Sequence, residues 1–437
     1  MLKRIAFSAA YLCFLLLQTR SLAQNWSELT PASGNAPLPR RNAAAVYDVG
    51  RHRLIIFGGR TDAGDRNDVW AFDLNAHSWA ELSPATGPAP APRFTANAVY
   101  DSARHQVIIW SGQGAGFFND VWAYDLHANV WSQFNPPAPI PNVRYGTASV
   151  FDPRTRDLVT FAGFTDQGRF EDTWRFEVDR ARWREVSPAG AQPGKRCLHA
   201  ASYDRRHHRM IIYGGQNNGA LRDIWAFDLN QNTWANLTPT DTPAGRWFPT
   251  NIYDARHHRI LIFGGNLGSV RTNDVWAFDL KANAWQQLSP GGMVPSEREG
   301  AAAVYIEAED RMIVFGGVGV AHNNEVWALD DLSAPVSVHD PPRTTPQSFR
   351  LLGNYPNPFN PSTVIAIELP AAAQLSVKLH DTQGRLIKAW SARFPAGRQE
   401  VVWEGTNQSG EKVASGVYLY HVRLGNFSQT GKMLLSR

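Results

Sequence analysis

The sequence predicts an all-β protein, with a six-bladed β-propeller over residues 24–332 and a small immunoglobulin-like β-sandwich over residues 350–437. Three observations predict this fold. The phrase "DVWAFDL" or a close variant occurs six times, at intervals of 51 or 52 residues. Each copy follows a short apolar run that ends in two small residues, as in "RLIIFGG". Residues 350–437 lack this period and instead alternate apolar and polar positions.

The first 23 residues are predicted to be a cleaved signal peptide. The basic start "MLKR" precedes the apolar run "IAFSAAYLCFLLL", and the small residues "SLA" precede Gln24. Because that run is shorter than a membrane span requires, no transmembrane segment is expected after cleavage. We therefore expect export through the periplasm, to a secreted or outer-surface location.

Each repeat unit reads as four short strands. In the first unit these are "NAAAVYD", "RLIIFGG", "DVWAFDL" and "SWAEL". Side chains alternate along a strand, so Trp70, Phe72 and Leu74 point to one face while Val69 and Ala71 point to the other. Since both faces are apolar, the pattern predicts a sheet packed between two neighbours, as in a propeller blade.

The sixth unit lacks a fourth strand of its own. Val336 stands where the other units place their second tryptophan, whereas "NWSELTP" at residues 25–31 matches "SWAELSP" at residues 78–84. We expect this N-terminal strand, which carries Trp26, to complete the sixth blade and close the ring, removing exposed sheet edges. The repeated phrase is therefore interpreted as structural and not catalytic.

The small pair, an aromatic residue and the following tryptophan resemble the kelch motif. The resemblance covers residues 25–332, with mild departures at Ser111-Gly112, Ala162-Gly163 and Leu329. It implies a propeller that acts as a binding scaffold, as most kelch proteins do; a minority are enzymes.

One arginine stands eighteen residues before each small pair. These arginines are Arg40, Arg93, Arg144, Arg196, Arg246 and Arg298. Arginine forks bind anions well, so a ring of them is one candidate anion site. Strict repetition favours the other interpretation, in which each arginine holds a loop of its blade to a backbone carbonyl.

A proline-rich linker is predicted over residues 333–349, and a second domain follows it. The stretches "NYPNPFNPST", "GRLI", "SGVYLYHV" and "FSQTGKMLL" resemble the type A C-terminal sorting domain of type IX secretion. The resemblance covers residues 350–437. It implies a Bacteroidetes-like bacterium as host, the type IX machinery as partner, and a product that is released or attached to the cell surface.

Charge, cysteine content and motifs exclude several functions. A formal net charge of +4 without a run of basic residues makes nucleic acid an unexpected partner. Signal cleavage removes Cys13, so Cys197 has no cysteine left for an internal disulfide. The sequence contains no GxSxG, HExxH or phosphate-binding loop, and no cofactor is predicted.

Two columns of the repeat vary strongly, which identifies positions that are free to bind a ligand. The residue after each repeated arginine is Arg41, Phe94, Tyr145, Cys197, Trp247 or Glu299. The residue after each small pair is Arg60, Gln113, Phe164, Gln216, Asn266 or Val318.

Both columns are expected to rim one mouth of the propeller. All of these residues except Val318 are predicted to bind an extracellular glycan or protein, because aromatic faces and amides suit sugar rings or a polar peptide. The alternative is that they merely fill the channel.

The sequence "RHHR" at residues 206–209 and 256–259 raises the question of a metal site. Paired histidines suggest metal. Adjacent residues in a hairpin nevertheless point apart, which favours a solvated basic rim. No metal ligand is therefore predicted.

Two enzymatic alternatives use the same mouth. A copper radical oxidase, by resemblance, needs two tyrosines, two histidines and a cysteine; Tyr145, Cys197, His199 and His322 supply part of that set. A sugar epimerase or lyase would use Glu299 with an arginine. We expect a binding or scaffold protein without catalytic residues.

Overall fold

The computed structural model describes residues 24–31, 33–332, 350–369, 372–395, 397–424 and 427–436. The chain divides into two compact units, residues 1–336 and 337–437. The described residues contain one short 3-10 helix, Val178–Arg180, and no α-helix. No helix among them is long and apolar enough to cross a membrane. The predicted signal peptide, residues 1–23, and the predicted linker, residues 333–349, lie outside the described residues.

Six sheets make up the described part of the first unit, one for each sequence repeat. Sheet 1 contains Ala44–Asp48, Arg53–Thr61, Gly64–Asp73 and Ser78–Glu81. Sheet 2 contains Asn97–Asp101, Gln106–Trp110, Val121–Asp125 and Val130–Phe134. Sheet 3 contains Ala148–Asp152, Asp157–Thr165, Gly168–Glu177 and Arg182–Val186. Sheet 4 contains Ala200–Asp204, Arg209–Tyr213, Ile224–Asp228 and Thr233–Asn236. Sheet 5 contains Thr250–Asp254, Arg259–Asn266, Arg271–Asp279 and Ala284–Leu288. Sheet 6 contains Ala302–Ile306, Arg311–Phe315, Val326–Asp330, Asn25–Glu28 and the short strand Gly291–Gly292.

Both faces of each sheet are buried, as the alternation along the repeated phrase predicts. Trp70 and Phe72 of sheet 1 pack in one apolar cluster with Phe315 of sheet 6. Val69 and Ala71, which point the other way, pack in a second cluster with residues of sheet 2. The sheets are therefore stacked side by side, and burial of both faces stabilises each sheet through its neighbours.

The first strands of the sheets contact one another in cyclic order. Each touches the first strands of the preceding and following sheets, and the first strand of sheet 6, Ala302–Ile306, also touches that of sheet 1, Ala44–Asp48. Four of these strands begin with alanine, whose small side chain permits close approach around a common axis.

The N-terminal strand lies in sheet 6. Asn25–Glu28 pairs antiparallel with Val326–Asp330, and Trp26 stands opposite Leu329. The Trp26 side chain is buried in a cluster that also contains Phe263 of sheet 5.

The ends of the sheets near the small pairs take two forms. In sheets 1, 3 and 5 the second and third strands continue as a longer hairpin, with a bulge at the pair. In sheets 2, 4 and 6 the chain forms a loop held by isolated bridges, such as that between Gln113 and Phe117. Glycine suits the pair, because an added Cβ at Gly58, whose φ is +62°, would lie 2.6 Å from the carbonyl oxygen of Arg93.

The described part of the second unit contains two antiparallel sheets. One contains Arg350–Tyr355, Thr363–Leu369 and Gly397–Trp403. The other contains Leu386–Phe394, Ala373–Asp381, Gly416–Leu424 and Phe427–Leu435. Alternate residues of both sheets, among them Ile365, Leu379, Trp403 and Tyr420, form a single buried core. This arrangement is a small β-sandwich.

Candidate functional site

Each repeated arginine is buried and forms an ion pair with a partly buried acid. In sheet 5, Arg246 Nη1 donates to the carbonyl oxygen of Gly264 at 3.0 Å and to Asp274 Oδ1 at 2.6 Å, while Nη2 donates to Oδ2 at 3.0 Å. Trp276 Nε1 donates to the same carboxylate at 2.6 Å. The other units form the pairs Arg40–Asp68, Arg93–Asp120, Arg144–Asp172, Arg196–Asp223 and Arg298–Glu325. The loop-holding interpretation is confirmed, and its acidic partner is the first residue of the repeated phrase.

Four of the acidic partners, Asp120, Asp223, Asp274 and Glu325, have lowered pKa values. Burial raises the pKa of Asp274, but the hydrogen bond and charge of Arg246 outweigh burial and leave that pKa lowered. The same balance lowers the pKa values of Asp120, Asp223 and Glu325. The carboxylates therefore remain charged at neutral pH, and the arginines are not free to capture a ligand anion.

A series of backbone hydrogen bonds joins the sheets next to the first variable column. The residue after each member of that column has a positive φ; these residues are Asn42, Thr95, Gly146, Leu198, Phe248 and Gly300. The Thr95 N–H donates to the Asn42 carbonyl at 3.0 Å, and the Asn42 N–H donates to the Gly300 carbonyl at 2.7 Å. Equivalent bonds link Gly300 to Phe248, Phe248 to Leu198, and Leu198 to Gly146. The spacing between neighbouring members of the column is therefore set by the backbone.

The structure brings the two variable columns together, pair by pair. Isolated antiparallel bridges join Arg41 to Arg60, Phe94 to Gln113, Tyr145 to Phe164, Cys197 to Gln216, Trp247 to Asn266 and Glu299 to Val318. Each bridge lies where the first strand of a sheet begins and the second ends. We call these paired residues the mouth.

Side-chain contacts connect the mouth from sheet to sheet. In an aromatic sector, the ring centroid of Tyr145 lies 6.1 Å from that of Phe94 and 5.6 Å from that of Phe164. In a charged sector, Arg41 Nη1 lies 3.5 Å from Glu299 Oε1. The Arg60 guanidinium lies 3.7 Å from the centre of the Phe94 ring and joins the two sectors by a cation–π contact.

A third column completes the mouth, and sequence analysis missed it. It pairs with the second column across each hairpin or loop and consists of Asp65, Phe117, Arg169, Ala220, Arg271 and His322. Phe117 stacks on Tyr145 at 5.8 Å, and Arg271 Nη2 lies 3.2 Å from Glu299 Oε1. These residues follow the second column by five positions in sheets 1, 3 and 5 and by four in sheets 2, 4 and 6. That alternation in spacing was the signal available in the sequence.

Burial divides the mouth into supporting and accessible side chains. Phe94, Cys197, Glu299 and Val318 are buried, and the other members of the two columns are half-buried. Burial is the main cause that raises the pKa of Tyr145, and the nearby Cys197 raises it further. Burial also raises the pKa of Cys197, although Arg169 opposes it. The mouth therefore presents a neutral phenol and a neutral thiol at neutral pH.

A polar cavity of about 200 Å³ lies among the first strands of the sheets. Its lining includes Asn42, Asn97, Thr147, His199 and Asn251. Neither ring nitrogen of His199 has a hydrogen-bond partner among the described residues. Burial together with the charge of Arg196 lowers the pKa of His199 to about 3. The His199 ring is therefore uncharged at neutral pH.

The residues considered for a copper centre are differently placed. His322 Nδ1 lies 2.7 Å from Asp62 Oδ1 in the hairpin of sheet 1. Among the described residues, neither Cys197 nor His199 belongs to a group of three histidine, cysteine or carboxylate side chains with metal-ligand spacing. Cys197 has instead a long contact of 3.9 Å from Sγ to the carbonyl oxygen of Gln216.

The "RHHR" histidines lie at the opposite end of the sheets, in the turn between first and second strands. Adjacent histidines point apart, as predicted: His207 Nδ1 lies 3.1 Å from Asp204, whereas His208 Nε2 lies 3.5 Å from Asp152 of the preceding sheet. The prediction of a solvated rim is wrong for His208 and His258, which are buried. They are buried because each packs against a carboxylate of the neighbouring sheet.

The fold and the repeated contacts define a kelch-type β-propeller. The family model described as "KLHDC2/KLHL20/DRC7 Kelch-repeats domain" matches residues 11–204 and 155–334. The chain therefore belongs to the kelch-repeat family. A second family model, described as "FlgD Ig-like domain", matches residues 356–426 of the C-terminal sandwich.

Similar proteins occur in diverse eukaryotes. Acyl-CoA-binding domain-containing protein 4 of Arabidopsis thaliana is 24% identical over 327 residues, which is 71% of this chain and 48% of that protein. The leucine-zipper-like transcriptional regulator 1 homolog of Drosophila melanogaster is 27% identical over 285 residues, covering 60% of this chain and 28% of that protein. Kelch domain-containing protein 3 of Bos taurus is 24% identical over 307 residues, which is 64% of this chain and 78% of that protein. This chain spans less than half the length of the first two relatives.

Proposed function

We propose that this chain is an exported bacterial kelch propeller of six blades that binds an extracellular protein or glycan at its mouth. The ligand that the mouth suits best is an extended polar peptide. The cyclic contacts of the first strands support the blade count, and the pairing of Asn25–Glu28 in sheet 6 supports closure by the N-terminal strand.

The observation that carries the binding proposal is the convergence of three variable columns on one end of the six sheets. The contacts that recur from repeat to repeat are instead the ion pairs between the repeated arginines and their acidic partners. Each sheet therefore forms with a different residue at the variable positions. Those variable residues that are half-buried remain accessible to a ligand.

The chemistry of the mouth supports a peptide first. Guanidinium groups of Arg41, Arg169 and Arg271 offer donors to backbone carbonyls and acidic side chains. The side chains of Gln216 and Asn266 are already oriented by Arg169 and Glu299, at 3.3 Å and 2.9 Å. A pre-organised polar surface of this kind lowers the entropic cost of binding.

A glycan is the second candidate, and the aromatic sector is the observation that favours it. Tyr145 and Trp247 are half-buried, so each residue keeps some surface accessible to a ligand. Exposed aromatic faces next to amide groups suit sugar rings.

The enzymatic alternatives have less support than binding. Glu299 Oε1 contacts Arg41 and Arg271, and Oε2 accepts a hydrogen bond from Asn266. A carboxylate with both oxygens engaged is poorly placed to act as the general base of an epimerase or lyase.

Type IX secretion is proposed as the export route. The signal-peptide pattern of residues 1–23 and the sorting-domain motifs of residues 350–437 support it. The matched Ig-like family and the separate core of the C-terminal sandwich are compatible with a domain that serves as an address label.

The test of binding is a set of peptide and glycan arrays probed with the protein lacking residues 1–23. Trp247→Ala and Arg41→Ala are expected to abolish the signals given by the parent. Lys281→Ala, an exposed substitution in the turn after the third strand of sheet 5, is the matched control. Equal signals from Trp247→Ala and the parent would contradict the proposed site.

A further inference from the structure

At the end of the sheets opposite the mouth, each turn places one residue against the preceding sheet. These residues have a positive φ and stand four positions after the last residue of the first strand. In five units the residue is basic: His52, His105, Arg156, His208 and His258. Four of them face the aspartate that ends the first strand of the preceding sheet; His208 Nε2, for example, lies 3.5 Å from Asp152. His52 instead faces Glu309, at 2.9 Å.

The sixth unit has an acid at this position instead of a base. Asp310 occupies the turn in place of a basic residue, and it faces Asp254 of sheet 5. The Tyr305 hydroxyl lies 2.9 Å from Asp310 Oδ1 and 3.2 Å from Asp254 Oδ1, between the two carboxylates. Two carboxylates therefore meet where the other sheet interfaces pair an acid with a base.

His257 completes this cluster. Its Nδ1 lies 2.8 Å from Asp254 Oδ2 and 3.8 Å from Asp310 Oδ1. One candidate ligand atom from each of Asp254, His257 and Asp310 lies within 4.8 Å of the other two. The histidine side chain is 31% exposed, which leaves an approach from solvent.

An independent observation concerns the second oxygen of Asp310. The Asp310 side chain is only 5% exposed, and its Oδ2 atom has no hydrogen-bond partner among the described residues. A buried carboxylate oxygen without a donor is costly, because it has lost water without a replacement. The carboxylate of Asp310 therefore keeps one oxygen that no protein donor of the described residues occupies.

The local charges also favour a cation. Besides His257, Asp254 pairs with one arginine, Arg259, whose Nε lies 2.7 Å from Oδ2. Among the described residues, Asp310 forms no ion pair with a lysine or arginine, and its contact with His257 is 3.8 Å long. Of the two carboxylates of the cluster, only that of Asp254 therefore pairs directly with an arginine of the described residues.

We propose that Asp254, His257 and Asp310 bind a divalent transition-metal ion, and that Zn²⁺ is a suitable ion. Two carboxylates and one imidazole provide three ligands of the types that Zn²⁺ accepts, and water supplies the fourth through the exposed side of His257. The ion would replace the missing basic residue and connect sheet 5 to sheet 6.

The neighbouring cluster of Asp204, His207 and His258 has the same spacing but a different balance of charge. Its single carboxylate already pairs with Arg209 at 2.8 Å. His258 Nδ1 is engaged with the Tyr253 hydroxyl at 3.0 Å. Since the charge of Asp204 is already neutralised, this cluster serves as the internal control.

The test measures Zn²⁺ binding to the full untagged chain after treatment with EDTA, by calorimetric titration and by thermal unfolding. We expect one equivalent to bind and to raise the melting temperature of the parent. Asp310→Asn and His257→Gln are each expected to weaken binding at least about tenfold, as loss of metal-site residues commonly does. His207→Gln, the corresponding substitution in the control cluster, is expected to retain the affinity.

Asp310→Asn carries a second signature. Without metal it is expected to melt higher than the parent, because it removes an unpaired buried charge, and Zn²⁺ is expected to add nothing further. Absence of Zn²⁺ binding by the parent would overturn the proposal. So would unchanged affinity in both Asp310→Asn and His257→Gln, or an equal loss in His207→Gln.

Discussion

The indole ring of Trp26 lies 5.1 Å, between centroids, from the phenyl ring of Phe263. The first belongs to the N-terminal strand and the second to sheet 5, so the contact joins distant parts of the chain. Trp26 is 2% exposed and occupies in sheet 6 the place that Trp131 occupies in sheet 2. The N-terminal strand thus contributes to the core as the fourth strands of the other sheets do.

Trp26→Ala is therefore expected to destabilise the protein by about 3–5 kcal/mol, the usual cost of removing a buried tryptophan. The measurement is chemical unfolding monitored by fluorescence. Trp131→Ala, inside a sheet formed by consecutive strands, is the matched comparison and should cost a similar amount. A loss below about 1 kcal/mol for Trp26→Ala alone would mean that the N-terminal strand is dispensable.

Removing an arginine of the buried ion pairs should also destabilise the fold. Arg246→Ala removes the cationic partner of the Asp274 carboxylate and a donor to the Gly264 carbonyl, and loss of one partner of a buried pair costs about 3–5 kcal/mol. The free energy of unfolding measures this loss. Arg184→Ala is the control, because Arg184 is 46% exposed and its contact with Glu177 is 3.7 Å long. Similar losses in the two variants would show that the Arg246 pair contributes no more to the free energy of unfolding than an exposed pair does.

Stability should decrease in acid. The pKa values of Asp120, Asp223, Asp274 and Glu325 are lowered in the folded protein, so the unfolded chain binds protons more readily. The stabilisation is complete above the unfolded values of about 4 and is lost as pH falls through the lower folded values. Melting temperatures measured from about pH 7 down to about pH 3 test this expectation, because that range includes the unfolded pKa values of about 4.

Asp274→Asn should flatten this pH dependence, because it removes one of the titrating groups. Asp241→Asn, on an exposed residue, is the control and should reproduce the parent curve. If Asp274→Asn keeps the parent slope, another set of groups governs acid unfolding.

Two aromatic residues of the mouth separate ligand binding from channel filling. Phe94 is 5% exposed, packs against Tyr145 and lies beneath Arg60, so Phe94→Ala should cost about 3–5 kcal/mol of stability. Trp247 is half-buried, so Trp247→Ala should change the melting temperature little while it weakens ligand binding. A large stability loss in Trp247→Ala, with binding retained, would identify Trp247 as a channel-filling residue.

Export is tested by removing the C-terminal unit. Deletion of residues 350–437 in a type IX-secreting host is expected to retain the propeller in the periplasm, as fractionation and immunoblotting would show. The Trp247→Ala full-length protein controls for changes in the propeller. Normal surface delivery of the deletion would contradict the sorting assignment.

The sequence by itself determined the strands, their faces and the matching of the N-terminal strand to the last repeat. These follow from local rules: side chains alternate along a strand, and each repeat meets similar neighbours, so the same residues recur. The place of the variable columns at strand ends could also be read from the repeat, because Arg41 and Arg60 adjoin the repeated arginine and the small pair.

Only the tertiary structure decided which side chains meet between repeats. Asp274 became the partner of Arg246, Phe117 joined the aromatic sector, and His257 of sheet 5 met Asp310 of sheet 6. Such contacts depend on how far one sheet is rotated and shifted against the next, which no local period encodes. The "RHHR" motif illustrates the difference: its histidines point apart within one turn, and their carboxylate neighbours come from two different sheet interfaces because the sheets pack around a common axis.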